Sequence, residues 1–291
     1  MQFSWSVISQ GLVSGVLLGG MFALIAVGLT LIWGVMGIIN FAHGEFLMVG
    51  LYVAYFAVSA GLSPYLSFIV TIPATTLLGI VVYKALISPI LKDPMVNQIM
   101  LTLGLMLILQ NLALLFFKAD VQTVRTAWTT RTIHLGGTVV GVSQLIMLVG
   151  AILCIVGIWW FLKYTDYGRS IRATAQNPDA ASLMGIDVKQ VYLVAFGLGS
   201  ATLGYAASLM IPFYYAAPTV GLFLGLIAFI VVVLGGMGNL FGCLIGGLIM
   251  GMGEALGAAM FPGSLSRVFS FGIFVILLVL MPRGVLSRRR A

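Results

Sequence analysis

Charge is what this sequence lacks most. Of 291 residues only 21 are Lys, Arg, Asp or Glu, or 7%, where a soluble domain carries about 25%. Hydrophobic residues make up 61% before the 36 glycines are counted. Such a composition offers too few polar groups to face water, which excludes a soluble enzyme and a disordered chain. Cysteine is nearly absent too. Cys154 and Cys243 both sit inside apolar runs, which excludes a disulfide scaffold and predicts buried, inert thiols. With two histidines, seven carboxylates and no HExxH or GxSxG motif, no catalytic or metal-ligating residue is assigned. No GxxxxGK[ST] loop occurs, so the chain holds no nucleotide in that way and no cofactor is expected in it.

What is there is apolar sequence in long blocks. Residues 1–44 and 190–253 carry no charge, nor do 46–83, 94–117, 132–162 and 268–282. A crossing needs about 20 apolar residues, so the longest blocks fold back and cross more than once. Continuous runs, rather than alternating segments of about ten residues, exclude a transmembrane barrel. The reading is an all-α polytopic membrane protein, one domain over 1–291. Helices are predicted near 8–33, 42–61, 65–87, 95–117, 139–162, 190–211, 220–236, 241–260 and 268–282. That makes eight or nine transmembrane helices, some interrupted by Gly-rich breaks. No basic region or cleavage site precedes the first apolar run, which is therefore expected to stay in the chain.

Orientation follows from the basic residues. Lys84, Lys92, Lys163, Arg169, Arg172, Lys189, Arg283, Arg288, Arg289 and Arg290 fall on one side. Lys118, Arg125, Arg131 and Arg267 fall on the other. The larger set predicts the cytoplasmic face, including the C-terminus; with nine crossings the N-terminus lies outside. The net charge of +7 is then a topology signal and not a nucleic-acid footprint. Trp159 and Trp160, close to Lys163 and Tyr164, fit an interfacial anchor. Pro212, Pro218 and Pro262 are expected at external helix ends, and His134 in a solvated external loop.

Glycine stripes mark close helix packing. Gly11, Gly15 and Gly19 form one; Gly242, Gly246, Gly247 and Gly251 form another. Their partners are other helices of this chain or a second subunit.

The segment 163–189 holds seven of the 21 charges. Within it Asn177 is placed to cap a helix that begins at Pro178 and carries Asp179 in its first turn. Ala180, Ala181, Ser182, Leu183 and Met184 continue it and Gly185 ends it. This is either a solvated connector or a rigid docking element for a cytoplasmic partner.

Asn40-Phe41-Ala42-His43-Gly44-Glu45 lies between two apolar runs. A carboxylate at membrane depth costs about 2.5–3.5 kcal/mol on insertion scales, so it should face a cavity or a partner. The segment is either a broken helix or a turn with Glu45 at the membrane interface. Leu234 to Gly242 echoes it, with Gly238, Asn239 and Phe241 after a Gly-rich break. Paired interruptions in corresponding halves point to a solute path. Glu254, in the helix beyond, is expected in a hydrogen-bonded packing role. A transport role follows, driven by a partner or by an ion gradient.

Three blocks resemble the LivH-type permeases of branched-chain amino acid ABC importers. They are Ala23–Met36 running into Ile39–Glu45, Gly168-Arg169 through Asn177-Pro178-Asp179-Ala180 to Met184-Gly185-Ile186, and Val231–Gly247 with its LGGMGNLFG core. Thr102-Leu103-Gly104 with Leu109-Gln110-Asn111 is a fourth, shorter one. The second and third blocks are also similar to ribose-type sugar permeases. The resemblance implies a bacterial inner-membrane permease working with a second homologous permease, two cytoplasmic ATPases that bind the ATP, and an extracytoplasmic solute-binding protein. It implies coupling to the ATPases through Gly168, Arg169, Arg172, Asn177, Pro178, Asp179, Ala180, Leu183, Met184 and Gly185. A solute path through Asn40, Phe41, His43, Gly44, Glu45, Gly238, Asn239 and Phe241 goes with it. Residues 118–138 depart from the family pattern. Amino acids and urea or amides both fit as solutes. A stand-alone channel or gradient-driven carrier is the alternative of another class.

Overall fold

The computed structural model describes residues 5–126, 128–135, 137–261, 265–281 and 284–286. Nine apolar helical stretches appear among them, where the nine were predicted. They are α1 (Trp5–Met36), α2 (His43–Ser59), α3 (Phe68–Val82), α5 (Met95–Phe117), α6 (Val142–Tyr164), α9 (Val188–Met210), α10 (Val220–Gly235), α11 (Leu240–Met260) and α12 (Leu265–Leu280). Six helical stretches are long and apolar enough to span a membrane, whereas α2, α10 and Val268–Leu280 are shorter. The chain is an all-α polytopic membrane protein. Pro262, Arg283 and Arg288 to Arg290, expected at an external helix end and in the C-terminal tail, lie outside the described residues, as does the side chain of Arg267.

Two departures from plain helix have local causes. α3 follows a 3-10 turn (Pro64–Ser67) and ends in a π turn (Tyr83–Ile87) that leads into the short α4 (Ser88–Ile90). Pro89, just inside α4, has no N–H to give the carbonyl four residues back, and the ladder widens so that Ser88 N donates to Tyr83 O. The predicted loop around His134 is instead a small hairpin, β1 (Thr132–Leu135) antiparallel to β2 (Thr138–Gly141). It delays the start of α6 to Val142. Gln10 of α1 clasps it, donating to Val139 O at 2.9 Å and accepting from Val139 N at 2.8 Å.

α1 is the axis of the bundle, packed by α6, α9, α10 and α11. Its most apolar window is 89% buried, against 17% in α5 and 22% in α6. The glycine stripes explain how a helix can be so enclosed. Gly15 and Gly19 face Gly247 and Gly251, so that a Cβ on Gly15 would lie 2.7 Å from Met252 Cα and one on Gly19 would lie 2.6 Å from Leu248 Cα, while Gly242 and Gly246 face Gly235 and Val231 of α10. Two backbones therefore touch along α1 and α11, and the stripes pack within this chain. At the same seam Thr30 Oγ1 and Cys243 Sγ are 2.6 Å apart. Cys243 is buried and Cys154 half-buried.

Candidate functional site

The loop between α6 and α9 folds into α7 (Asp166–Gln176) and α8 (Pro178–Leu183). Thr165 caps α7, its hydroxyl accepting from Gly168 N at 3.0 Å. Gly168 is a close-approach residue, because a Cβ there would strike the end of α6 at Phe161 and Leu162. α7 buries Gly168, Ile171 and Thr174. Ile171 joins Leu31 and Val35 of α1 and Val191 and Ala195 of α9 in a small core of its own. Arg169 pairs with Asp166 on the exposed side, and Arg172 points outward.

α8 is built as its sequence grammar predicts. Asn177 Oδ1 accepts from Ala180 N at 3.0 Å, Pro178 is the first helical residue, and Asp179 lies in the first turn. Gly185, with φ +83°, ends the element. Ala181 is buried beneath it. Leu183 and Met184 are 89% and 83% exposed, and they stand at the loop end of the bundle, beyond the apolar spans. Two large apolar side chains at such exposure form a surface that lacks its cover.

The second candidate region is the break after α1. Gly37 takes φ +69°, helix stops, and six residues lead to His43. His43 Nε2 then donates to Ile25 O at 3.1 Å. Ile25 lies eleven residues before the end of α1, about 16 Å along its axis. The segment 37–42 therefore runs back alongside α1, a distance that six residues in extended conformation can cover. α2 begins at mid-bundle. A non-helical break separates α1 from α2, and Glu45 is enclosed by the chain, at 0% exposure.

α10 meets α2 there. Gly44 touches the carbonyl of Gly221, and a Cβ on it would come within 2.7 Å of Gly225 Cα. The Glu45 carboxyl lies over Gly221. Phe41 stacks on Phe229 at 5.9 Å. Asn40 Oδ1 accepts from Ala42 N at 3.1 Å. Asn40 Nδ2, His43 Nδ1, both Glu45 carboxyl oxygens and the Tyr52 hydroxyl are buried without a hydrogen-bond partner among the described residues. Buried polar groups are ordinarily paired. Here several fall on one stretch, in the break and on the helix that follows it. Tyr52, Gly221 and Gly225 were not singled out from the sequence, although Gly221 and Gly225 are spaced for close packing.

The echo segment sits elsewhere. Asn239 caps α11, accepting from Gly242 N at 3.0 Å, and donates to Leu286 O at 3.2 Å. Phe241 is half-exposed and meets Trp159 edge-on at 6.1 Å. Gly238 touches Gly34, 2.8 Å from where a Cβ on Gly34 would lie. The second break thus touches α1 at Gly34, near the end of that helix, and not at the level of His43. Glu254 is half-buried in a crevice beside Phe223 and Ser270. The stretch 118–138, of which Ala127 and Gly136 lie outside the described residues, is tied to the α9–α10 connector by the Gln122–Ala216 bridge. Among the described residues no group of three or more His, Cys, Asp or Glu is disposed to hold a metal ion.

A family model described as "Branched-chain amino acid transport system / permease component" matches residues 11–278. The high-affinity branched-chain amino acid transport system permease protein BraD of Pseudomonas aeruginosa is 30% identical over 96% of this chain and 95% of its own. The corresponding LivH of Salmonella typhimurium is 31% identical over the same shares, 96% and 95%. More distantly, the ribose import permease protein RbsC of Escherichia coli is 28% identical over 63% of this chain and 59% of its own. No solved structure matches the chain significantly. The family match takes in both the exposed α7–α8 element and the broken helix. The chain belongs to the family of permease components of branched-chain amino acid transport systems, and it is a membrane transport component, not an enzyme.

Proposed function

We propose that this chain is the permease subunit of an ATP-driven importer that carries branched-chain amino acids across a bacterial inner membrane into the cytoplasm. Its partners are a second, homologous permease, two cytoplasmic ATPases and an extracytoplasmic binding protein that delivers the solute. The observation that carries this reading is the α7–α8 element. Leu183 and Met184 stand at 89% and 83% exposure on a capped helix outside the apolar spans, as a protein-docking surface would. An ion-gradient carrier has no use for it.

In this reading α8 seats in a groove of an ATPase. Arg169, Arg172 and Asp179 flank it, and Gly168 fixes its base to α6. The small core around Ile171 passes a push on α7 to α1 and α9. The solute route runs past Asn40, Phe41, His43, Gly44 and Glu45, with Gly238, Asn239 and Phe241 at its cytoplasmic end. The loop end, with the C-terminus, is cytoplasmic by its excess of Lys and Arg. ATP binds the partners and no cofactor binds this chain.

Co-expression with the two ATPases and the second permease tests it. The four chains are expected to co-purify in detergent. Proteoliposomes loaded with ATP are expected to take up radiolabelled leucine when binding protein is supplied, and vanadate is expected to stop that uptake. Uptake by this chain alone, insensitive to vanadate, would overturn the reading; urea uptake without leucine uptake would replace the solute.

A further inference from the structure

Neither the α8 element nor the helix break uses the loop 118–141, which joins α5 to α6. The loop precedes α6 and α7–α8 follows it, so the two stand at opposite ends of that helix. The 23 residues of α6 set them about 35 Å apart. Both neighbouring apolar spans stop at its edges, at Phe117 and Val142.

Three ties hold the loop across that end of the bundle. Gln122 exchanges both backbone bonds with Ala216, at 2.9 Å each, just before α10. Trp128 meets Tyr65 edge-on at 5.3 Å, and its carbonyl accepts from Ser143 Oγ at 2.8 Å. Gln10 of α1 clasps Val139 of the hairpin. Connecting loops are ordinarily the mobile parts of a fold; this one is a plate fastened to α1, to the turn ahead of α3 and to the α9–α10 connector.

What the plate displays is positive charge. Lys118, Arg125 and Arg131 are exposed, with Asp120 the one carboxylate on the loop. None of the three cations forms an ion pair among the described residues. Arg131 lies over the Trp128 ring, 4.8 Å from its centroid, a contact that steadies the guanidinium. In the orientation proposed above this is the outer end, where the charge rule for membrane helices disfavours cations. Topology therefore does not account for them. Val121 and Ile133 stand exposed on the same loop. Arginine and aromatic rings set among apolar groups are the makeup of a protein interface.

We propose that the loop 118–141 is the surface on which the extracytoplasmic binding protein docks, and that the face it receives is acidic. Arg125 and Arg131 pair with carboxylates of that protein, which also covers Val121 and Ile133. This rests on the importer reading and adds to it where the partner sits and which charge it must carry.

The test uses the complete reconstituted transporter and follows leucine uptake against the concentration of leucine-loaded binding protein. Arg125→Glu with Arg131→Glu is expected to raise the half-saturating concentration roughly tenfold, since close charge pairs across an interface couple strongly. Asp120→Lys, of opposite sign, is expected to lower it. Added salt is expected to weaken the unsubstituted complex more than the doubly reversed one. An unmoved half-saturating concentration in the arginine variant, or an Asp120→Lys that weakens docking as much, overturns the surface while leaving the transport reading intact. So does a loss seen in vesicles containing phosphatidylglycerol and absent in pure phosphatidylcholine, which would give the arginines to lipid headgroups. Leucine uptake by the unsubstituted complex with no binding protein present overturns both.

Discussion

His43 of α2 donates from Nε2 to the carbonyl oxygen of Ile25, 3.1 Å away, at the middle of α1. That one bond holds the start of α2 within a side chain's reach of a level about 16 Å back along α1 from its end. It makes the interruption at 37–42 a re-entrant segment and not a surface turn.

Removing the bond is expected to loosen the break without unfolding the bundle. His43→Ala should lower stability by about 0.6–1.7 kcal/mol, the span measured for hydrogen bonds between membrane helices. Thermal unfolding in detergent checks it, and an unchanged midpoint would show that packing alone holds α2 at this depth.

Two glycines make a controlled comparison, Gly44 at the second position of α2 and Gly104 in the middle of α5. Gly44 touches the backbone of α10, while nothing lies within 4 Å of a Cβ on Gly104. Gly44→Ala is expected to abolish or strongly reduce the folded protein recovered from membranes, and Gly104→Ala to leave it unchanged. Equal recovery of the two would mean that α2 and α10 separate readily.

At the break itself, Asn40→Ala and Glu45→Ala each remove a buried group with an unpaired polar atom. Uptake of leucine by the reconstituted complex is expected to fall about tenfold in each, equivalent to ~1.4 kcal/mol on the barrier. Co-purification of the four subunits should survive. Normal uptake by Glu45→Ala would remove the carboxyl from the route.

On the loop side, Gly185→Pro asks φ near −65° of a residue that stands at +83°. Asp179→Lys reverses the charge in the first turn of α8. Both are expected to separate ATP hydrolysis from uptake while insertion in the membrane is normal. Leu183→Asp with Met184→Asp should go further and release the ATPases during purification. If all three keep wild-type leucine uptake, α8 is not the coupling element.

Much of this was readable from residue order. The α8 cap was legible because Asn177, Pro178 and Gly185 act within a few residues of one another, and local grammar needs no knowledge of the rest of the chain. The glycine stripes were legible as stripes, yet their partner was not. Gly15 and Gly251 are over two hundred positions apart, and only the docked helices show that Gly15 and Gly19 answer Gly247 and Gly251 while Gly242 and Gly246 answer α10. Glu45 was read as buried or interfacial with equal sense, since a lone carboxylate beside an apolar run fits both. The echo at Asn239 matched in letters and differed in depth: it caps a helix near the end of α1, where Asn40 lies in the interior.

By itself, then, the sequence determined the class, the helices, the face richer in positive charge and the exposed capped element. Each of these follows from composition, from apolar length against membrane thickness, or from contacts a turn apart. Tertiary structure alone decided that α1 is the enclosed axis, that the start of α2 is bonded to the middle of α1, and that the Glu45 carboxyl lies against Gly221 of α10. Those facts depend on which helices lie side by side, and helices of nearly uniform apolarity carry few local signals that choose a neighbour. What chooses it is backbone shape, through the glycines that let some pairs of helices touch and keep others apart.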